Sequence, residues 1–188
     1  METRENIKFD KIDFKTEQFI SSEYDACVFD NCNFNGVDIS GSIFVDCMFS
    51  NCDLSLAKIR QVVFRDVQFK DCKLLGLQFD TANEYGLNFS FDHCTLNNSS
   101  FTNTKIKSTL FQHSQLREVD FTNCDLSEST FLQCDLHHAI FDASNLEKVD
   151  FRTSFHYSID PHRNKLKKSK HAYPAQLGLL DHIDLIIE

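Results

Sequence analysis

Apolar residues recur along the chain at every fifth position. From Phe14 the series runs Phe14, Phe19, Tyr24, Phe29, Phe34, Ile39, Phe44, Phe49, Leu54, Ile59, Phe64, Phe69, Leu74 and Phe79 without a gap. The register then slips by two residues. It resumes at Phe91, Leu96, Phe101, Ile106, Phe111, Leu116, Phe121, Leu126, Phe131, Leu136, Phe141, Leu146 and Phe151. Amphipathic helices repeat every 3.6 residues and strands every 2, so neither element produces this spacing. A second pattern accompanies the first. The residue two before each apolar centre is small or β-branched at nearly every pentad, and all 8 Cys fall at this one position. Each pentad therefore has one large inward side chain, one small inward side chain and three outward ones. The outward ones are rich in Asp, Asn, Lys, Ser, Thr and Gln.

Composition sharpens this picture at one point. The chain has 188 residues, enough for one domain with a sizeable core. Only 5 Gly and 2 Pro serve all of its turns, so the corners must be turned by another device.

Segments such as Cys52-Asp53-Leu54-Ser55, Cys124-Asp125-Leu126-Ser127, Cys134-Asp135-Leu136-His137 and Val149-Asp150-Phe151-Arg152 resemble the pentapeptide-repeat family. The resemblance covers roughly residues 9 to 155. It implies an all-β fold, a right-handed quadrilateral β-helix with four pentads per coil. Every twentieth residue should then stack. Sorting by twenty gives uniform columns, among them Tyr24/Phe44/Phe64, Phe91/Phe111/Phe131/Phe151 and Leu96/Leu116/Leu136. In the first block a ten-residue period fails, because Tyr24 and Phe44 would share a column with Leu54 and Leu74. About seven coils at about 4.8 Å each make a rod of roughly 33 Å. Only the ends of such a solenoid need caps. Glu17 at a small inward site marks the first pentads as an end. The expected organisation is a repeat domain over 1–155 and a cap or dimerisation segment over 156–188.

Two stretches depart from the pattern. In 80–90, Glu84 stands where an apolar centre belongs. The stretch is either a bulge that realigns two halves of the coil or a loop that touches a partner through Glu84 and Tyr85. After Phe151 the pattern fades, and 155–170 is polar and basic, which suggests a solvated connector. Beyond it, Pro174 suits the first turn of a short helix with Leu177 and Leu180 on one face, and Gly178 weakens that helix. Ile183 to Ile187 read as an apolar tail. Quinolone-resistance members of the family end in a comparable helix and tail and dimerise there. By that likeness Leu177, Leu179, Leu180, Ile183, Leu185 and Ile186 are the expected dimerisation residues.

The formal net charge of −9 argues against a basic grip on nucleic acid or on an anionic membrane. No apolar run reaches the ~18 residues of a membrane span, and no apolar leader is visible near Met1. The expected location is the cytoplasm, with the thiols reduced and packed as small hydrophobes. The Cys spacing does not fit converging zinc pairs, and the His are scattered. No triad, phosphate loop or dinucleotide fingerprint is present. A non-enzymatic protein without cofactor or metal is expected, on a packed solenoid with no obvious pocket.

Two functions remain. One is an acidic binding protein that mimics DNA. The resemblance implies DNA gyrase or topoisomerase IV as its partner and reduced quinolone sensitivity as its effect. Asp30, Asp46, Asp66, Asp71, Asp120 and Asp125 are the candidate contact acids. The other is a scaffolding solenoid with a different protein partner. Acids gathered on one side would favour mimicry. Interspersed bases such as Lys58, Arg60, Arg65, Lys70 and Lys73 favour the scaffold.

Overall fold

The computed structural model describes residues 2–183 and Leu185. The chain winds as an all-β parallel solenoid. Its strands are β1 (Thr3–Glu5), β2 (Lys8–Asp10), β3 (Glu23–Asp25), β4 (Val28–Asp30), β5 (Ile43–Val45), β6 (Met48–Ser50), β7 (Val63–Lys70), β8 (Leu87–Asp92), β9 (Leu110–Gln112) and β10 (Thr130–Leu132). They pair in parallel in one sheet ordered β1-β3-β5-β7-β6-β4-β2, with β8, β9 and β10 continuing from β7. The register is the expected twenty, since Tyr24 sits on Phe44 and Phe29 on Phe49. Across the slip it becomes twenty-two, with Phe69 on Phe91.

Four faces follow from four pentads per coil. We label them by their centres: face A holds Tyr24, Phe44 and Phe64; face B holds Phe29, Phe49 and Phe69; face C holds Phe34, Leu54 and Leu74; face D holds Ile39, Ile59 and Phe79. Each centre is buried because it points to the axis. Face B carries an unbroken ladder of rings. Phe9, Phe29, Phe49 and Phe69 stack at 4.7, 4.7 and 5.2 Å. Phe69 to Phe91, Phe111, Phe131 and Phe151 continue at 5.3, 5.1, 4.8 and 5.0 Å. Burying so many rings is the main stabilisation of the rod.

Most corners are turned with the backbone in the left-handed region at the second residue after the centre. Only Gly36, Gly41 and Gly76 use glycine there. Asn31, Asp46, Leu56, Asp66, His93, Glu118 and many others adopt it with a full side chain. Many turns close with a hydrogen bond from the following small residue back to the centre, such as Val37 N–H to Phe34 O (2.9 Å) and Ala57 N–H to Leu54 O (3.0 Å). Asp and Asn just before the centre lock some turns, as Asp53 Oδ1 does by accepting from Ser55 N–H (2.9 Å).

All eight thiols are free and buried, as their shared position predicts. The column Cys32/Cys52/Cys72/Cys94 continues into Ser114, Cys134 and Ser154, each accepting or donating across one coil. Cys32 N–H donates to Cys52 Sγ (3.4 Å) and Cys94 N–H to Ser114 Oγ (3.0 Å). Burial pushes the Cys47, Cys124 and Cys134 thiols up to about 12, so they stay protonated near neutrality.

Several expectations need correction. The ladder begins earlier, at β1, where Arg4 takes a centre position beneath Tyr24. Glu17 is exposed, because Thr16 and Glu17 turn back onto Asp13 O and leave the coil path. The basic run 155–170 is not a loose connector. Asn145 bridges Lys165 and Asp150 bridges Lys170, and Tyr157 and Ile159 are buried. In place of an α-helix there is a 3-10 turn, Ala175–Leu179. Gly178 is required there. A Cβ would lie 1.9 Å from Tyr157 O, and Gly178 O accepts from Ile159 N–H (3.0 Å).

The interruption is a compact bulge. Ala82 fills the small site above Val62, and Asn83 N–H donates to Val62 O (2.9 Å). A second 3-10 turn, Glu84–Gly86, is capped by Asn83 Oδ1 accepting from Tyr85 N–H (3.0 Å). Gly86 is needed here, because a Cβ would come 2.7 Å from Val63 Cγ1. Phe89 then takes a small inward site opposite Val67.

Candidate functional site

On a continuous rod the candidate site is the outer surface, and each outward residue is placed by its position in the pentad. Asp46 and Asp66 occupy the same corner, between faces A and B, one coil apart. Asp71 is at the corner between B and C. Asp30 lies on face B, Asp125 on face A and Asp120 on face D, opposite B. The structure thus brings together Asp46 and Asp66 and leaves the other four on separate faces or coils.

Most of these acids are engaged. Asp30 Oδ2 pairs with Lys8 Nζ (3.0 Å), and this hydrogen bond holds its carboxyl below the usual range. Asp125 is partly buried, which would raise it. Hydrogen bonds from Ser127 together with the Lys107 ammonium at 3.2 Å hold it low. Asn88 Nδ2 donates to Asp66 Oδ1 (2.6 Å), and Thr122 N–H donates to Asp120 Oδ1 (2.8 Å). Elsewhere Arg117 Nε meets Asp135 (2.6 Å), and Arg163 meets Asp142 (2.7 Å). Among the described residues every face carries bases as well as acids, with Lys107 on face A, Lys8 on B, Arg117 on C and Lys58 on D. Exposed pairs of this kind add little stability each.

Glu84 and Tyr85 are both exposed on the bulge. Tyr85 is 87% exposed, the most exposed large hydrophobic side chain among the described residues. At the other end, Leu177, Ile183 and Leu185 are exposed, while Leu179 and Leu180 are half-buried and Leu179 packs on the core. Leu177 and Leu180 do not share one open face. Ile186 lies outside the described residues. A hollow of about 720 Å³ opens beside this segment, lined by His137, His138, Arg152, His156, Tyr157 and Tyr173 among others. It corrects the expectation of a rod without pockets, and it forms because the last turn folds back over the end of face C.

Along the sequence the His look scattered. The structure stacks two of them. His93 and His113 are twenty residues apart at the same corner, with ring centres 4.5 Å apart, and both face Asp92. The twenty-residue sort applied to the outward positions would have found them.

Two sequence profiles match the chain. One, described as "Pentapeptide repeat region", matches residues 42–118 and 85–151, and another, "Pentapeptide repeats (8 copies)", matches 25–55. The chain belongs to the pentapeptide-repeat family. Among curated proteins no sequence match is found. Among solved structures, full-length QnrB1, a plasmid-mediated fluoroquinolone resistance protein, is similar at a TM-score of 0.55 and 17% identity, over 98% of this chain and 100% of that one. HetL, involved in heterocyst differentiation regulation in the cyanobacterium Nostoc sp., is similar at a TM-score of 0.60 and 13% identity, over 90% of this chain and 86% of that one. These likenesses establish a shared fold.

Proposed function

We propose that this chain is a non-enzymatic protein-binding rod whose partner is a type II topoisomerase, DNA gyrase or topoisomerase IV, and that binding reduces quinolone sensitivity. The observation that carries this reading is the end-to-end match in fold with QnrB1, over essentially the full length of both chains. Charge adds support, since residues 1–155 hold 24 of the 28 acids but only 14 of the 19 bases. Contact would run along the corner with Asp46 and Asp66, past Asp71, and over the bulge with Glu84 and Tyr85. We further propose a cytoplasmic homodimer joined through the C-terminal segment, because Leu177, Ile183 and Leu185 leave apolar surface open there.

The test is a gyrase supercoiling assay with and without a fluoroquinolone, titrating this protein. Relief of quinolone inhibition that weakens in Tyr85→Ala and in Asp46→Asn with Asp66→Asn supports the proposal. Added salt should weaken it further, because exposed charges are screened over ~8–10 Å. No effect on supercoiling in either condition refutes it. Light scattering tests the dimer, where twice 21.8 kDa, halved by Leu177→Asp, is expected and a mass of 21.8 kDa refutes it.

A second reading rests on the mixing of acids and bases on every face. It breaks the continuous negative face that DNA mimicry needs and suits a scaffolding solenoid with another protein partner. The same fold in HetL shows that the architecture serves more than one role. Capture of a different protein partner, with gyrase unaffected, would select it.

A further inference from the structure

We propose that Asp92, His93 and His113 form a binding site for a divalent transition-metal ion of the zinc class. The three side chains sit at one corner of the rod, between faces B and C, on the two coils directly above the bulge. Among the described residues they are the one group of three ligating side chains whose donor atoms all lie within 4.8 Å of one another. Nδ1 of His93 is 2.7 Å from Asp92 Oδ1, and Nδ1 of His113 is 3.4 Å from the same oxygen. The two imidazoles stack with 23° between their planes, and both turn Nδ1 toward Asp92 Oδ1.

The backbone fixes this arrangement. His93 and His113 both occupy left-handed corners, at φ 53° and 50°. Asp92 pairs with Gln112 in the β8–β9 ladder. His93 N–H donates to Gln112 O (3.1 Å), and His113 N–H donates to Leu132 O (2.8 Å). The two rings are thus held one strand spacing apart, as every stacked pair in the rod must be. Only side-chain torsions remain free, and all three side chains reach solvent.

Zinc bonds of about 2.0–2.1 Å in a tetrahedron place ligand atoms roughly 3.3 Å apart. The present donor atoms bracket that value. Small rotations of the exposed side chains therefore close the site without moving the coil. Two imidazoles and a carboxylate suit zinc, copper or nickel better than calcium or magnesium, which prefer all-oxygen sites. Three protein ligands leave the remaining positions to water. Binding requires the Nδ1 lone pairs, so each metal-bound imidazole carries its single proton on Nε2. The bound ion would cross-link the first two coils above the register change.

The experiment is a titration of the intact protein with Zn²⁺ alone, read by histidine ¹H–¹⁵N spectra, by calorimetry and by thermal melting. One equivalent should shift the Nδ1 resonances of His93 and His113 before those of the other His. It should also raise Tm, because the ion binds the folded state. His113→Asn and Asp92→Asn should each weaken Zn²⁺ binding at least tenfold and abolish the Tm shift. His138→Asn, at a different corner, should change neither. Asn is chosen because Asn103 and Asn123 already occupy equivalent corners, so the variant coil is expected to form. The wild-type spectra decide the matter even if a variant fails to fold. Simultaneous broadening of all His, no saturable binding, or equal affinity in His113→Asn and wild type would overturn the site.

Discussion

Below the bulge and above it, the rod solves one packing problem in two ways. In the lower coils face A is made of strands with aromatic centres, Tyr24, Phe44 and Phe64, stacked at 5.2 and 5.7 Å. In the upper coils the same face is made of turns around Ile106, Leu126 and Leu146, closed by bonds such as Ser129 N–H to Leu126 O (3.0 Å). Face D makes the opposite exchange. Ile39 and Ile59 give way to Phe79, Phe101, Phe121 and Phe141, stacked at 4.4, 5.3 and 5.1 Å. The second aromatic ladder thus crosses from A to D, while the ladder on B runs through. Phe89 fills the gap at the crossing, against Phe64, Phe79, Phe91 and Phe101. The lesson is that a coil needs a fixed filled volume, and which face supplies the bulk is negotiable. The small sites differ too. Lower coils favour thiols with long contacts, as between Cys72 Sγ and Phe49 O (3.3 Å). Upper coils favour hydroxyls with shorter ones, as between Ser144 Oγ and Phe121 O (2.7 Å).

Removing the crossing residue should have the largest effect. Phe89→Ala leaves a cavity among four rings and should cost about 3–5 kcal/mol. It should also uncouple the halves, so that chemical denaturation shows two transitions in place of one. A single transition with a loss below about 1 kcal/mol would mean that Phe89 does not join them. Next comes the small-site contrast. Ser114→Ala strands the buried Cys94 N–H and should cost about 1–3 kcal/mol. Cys72→Ala removes only weak thiol contacts and should cost less. Equal losses in parallel urea titrations would erase the distinction between the halves.

The upper end is expected to be sensitive to acid. His171 stacks on Phe151 at 5.5 Å and bonds to Tyr157 Oη (3.0 Å) and Ser169 Oγ (2.9 Å). Burial lowers its pKa below the ordinary 6.5. The unfolded chain then binds the proton more tightly. Stability from this group is fully present above about pH 6.5 and falls as pH drops below it. Hydrogen exchange at residues 150–171 should speed up on acidification, and His171→Phe should remove that response. An unchanged response in the variant would assign it elsewhere. The smallest effect is a gain. Leu56 holds a left-handed corner, 65% exposed, at φ 56°. Leu56→Asn should stabilise by about 1 kcal/mol, because Asn tolerates that backbone better. A lower Tm would show that Leu56 contributes packing over Gly76 that outweighs the strain.

The inward half of this architecture is legible in sequence because burial admits few side chains at each position. Phe at the centres and Cys at the small sites report the coil directly. The end of the ladder is hidden, because Asn164 enters an inward slot. Its amide accepts from Ser144 N–H (3.0 Å) and donates to Phe141 O (2.8 Å), so a polar residue does the work of a small one. The C-terminal turn is hidden for a related reason, since the close approach at Tyr157 O that demands Gly178 leaves no local pattern. The outer surface was the least legible. Pairs such as Lys8–Asp30 and Arg117–Asp135 join residues about one coil apart through long flexible side chains. The stacked His93 and His113 follow the same twenty-residue rule as the core and were readable by it.

The twenty-residue stacking has a mechanical corollary. Each coil is hydrogen-bonded only to the coil above and the coil below. Tension along the axis therefore loads one coil's bonds at a time, like a zipper. Each coil that peels away frees twenty residues, about 70 Å of extended chain in place of about 4.8 Å of rod. A pulling trace would be a sawtooth of nearly equal teeth, and the one irregular tooth would mark the two extra residues between β7 and β8.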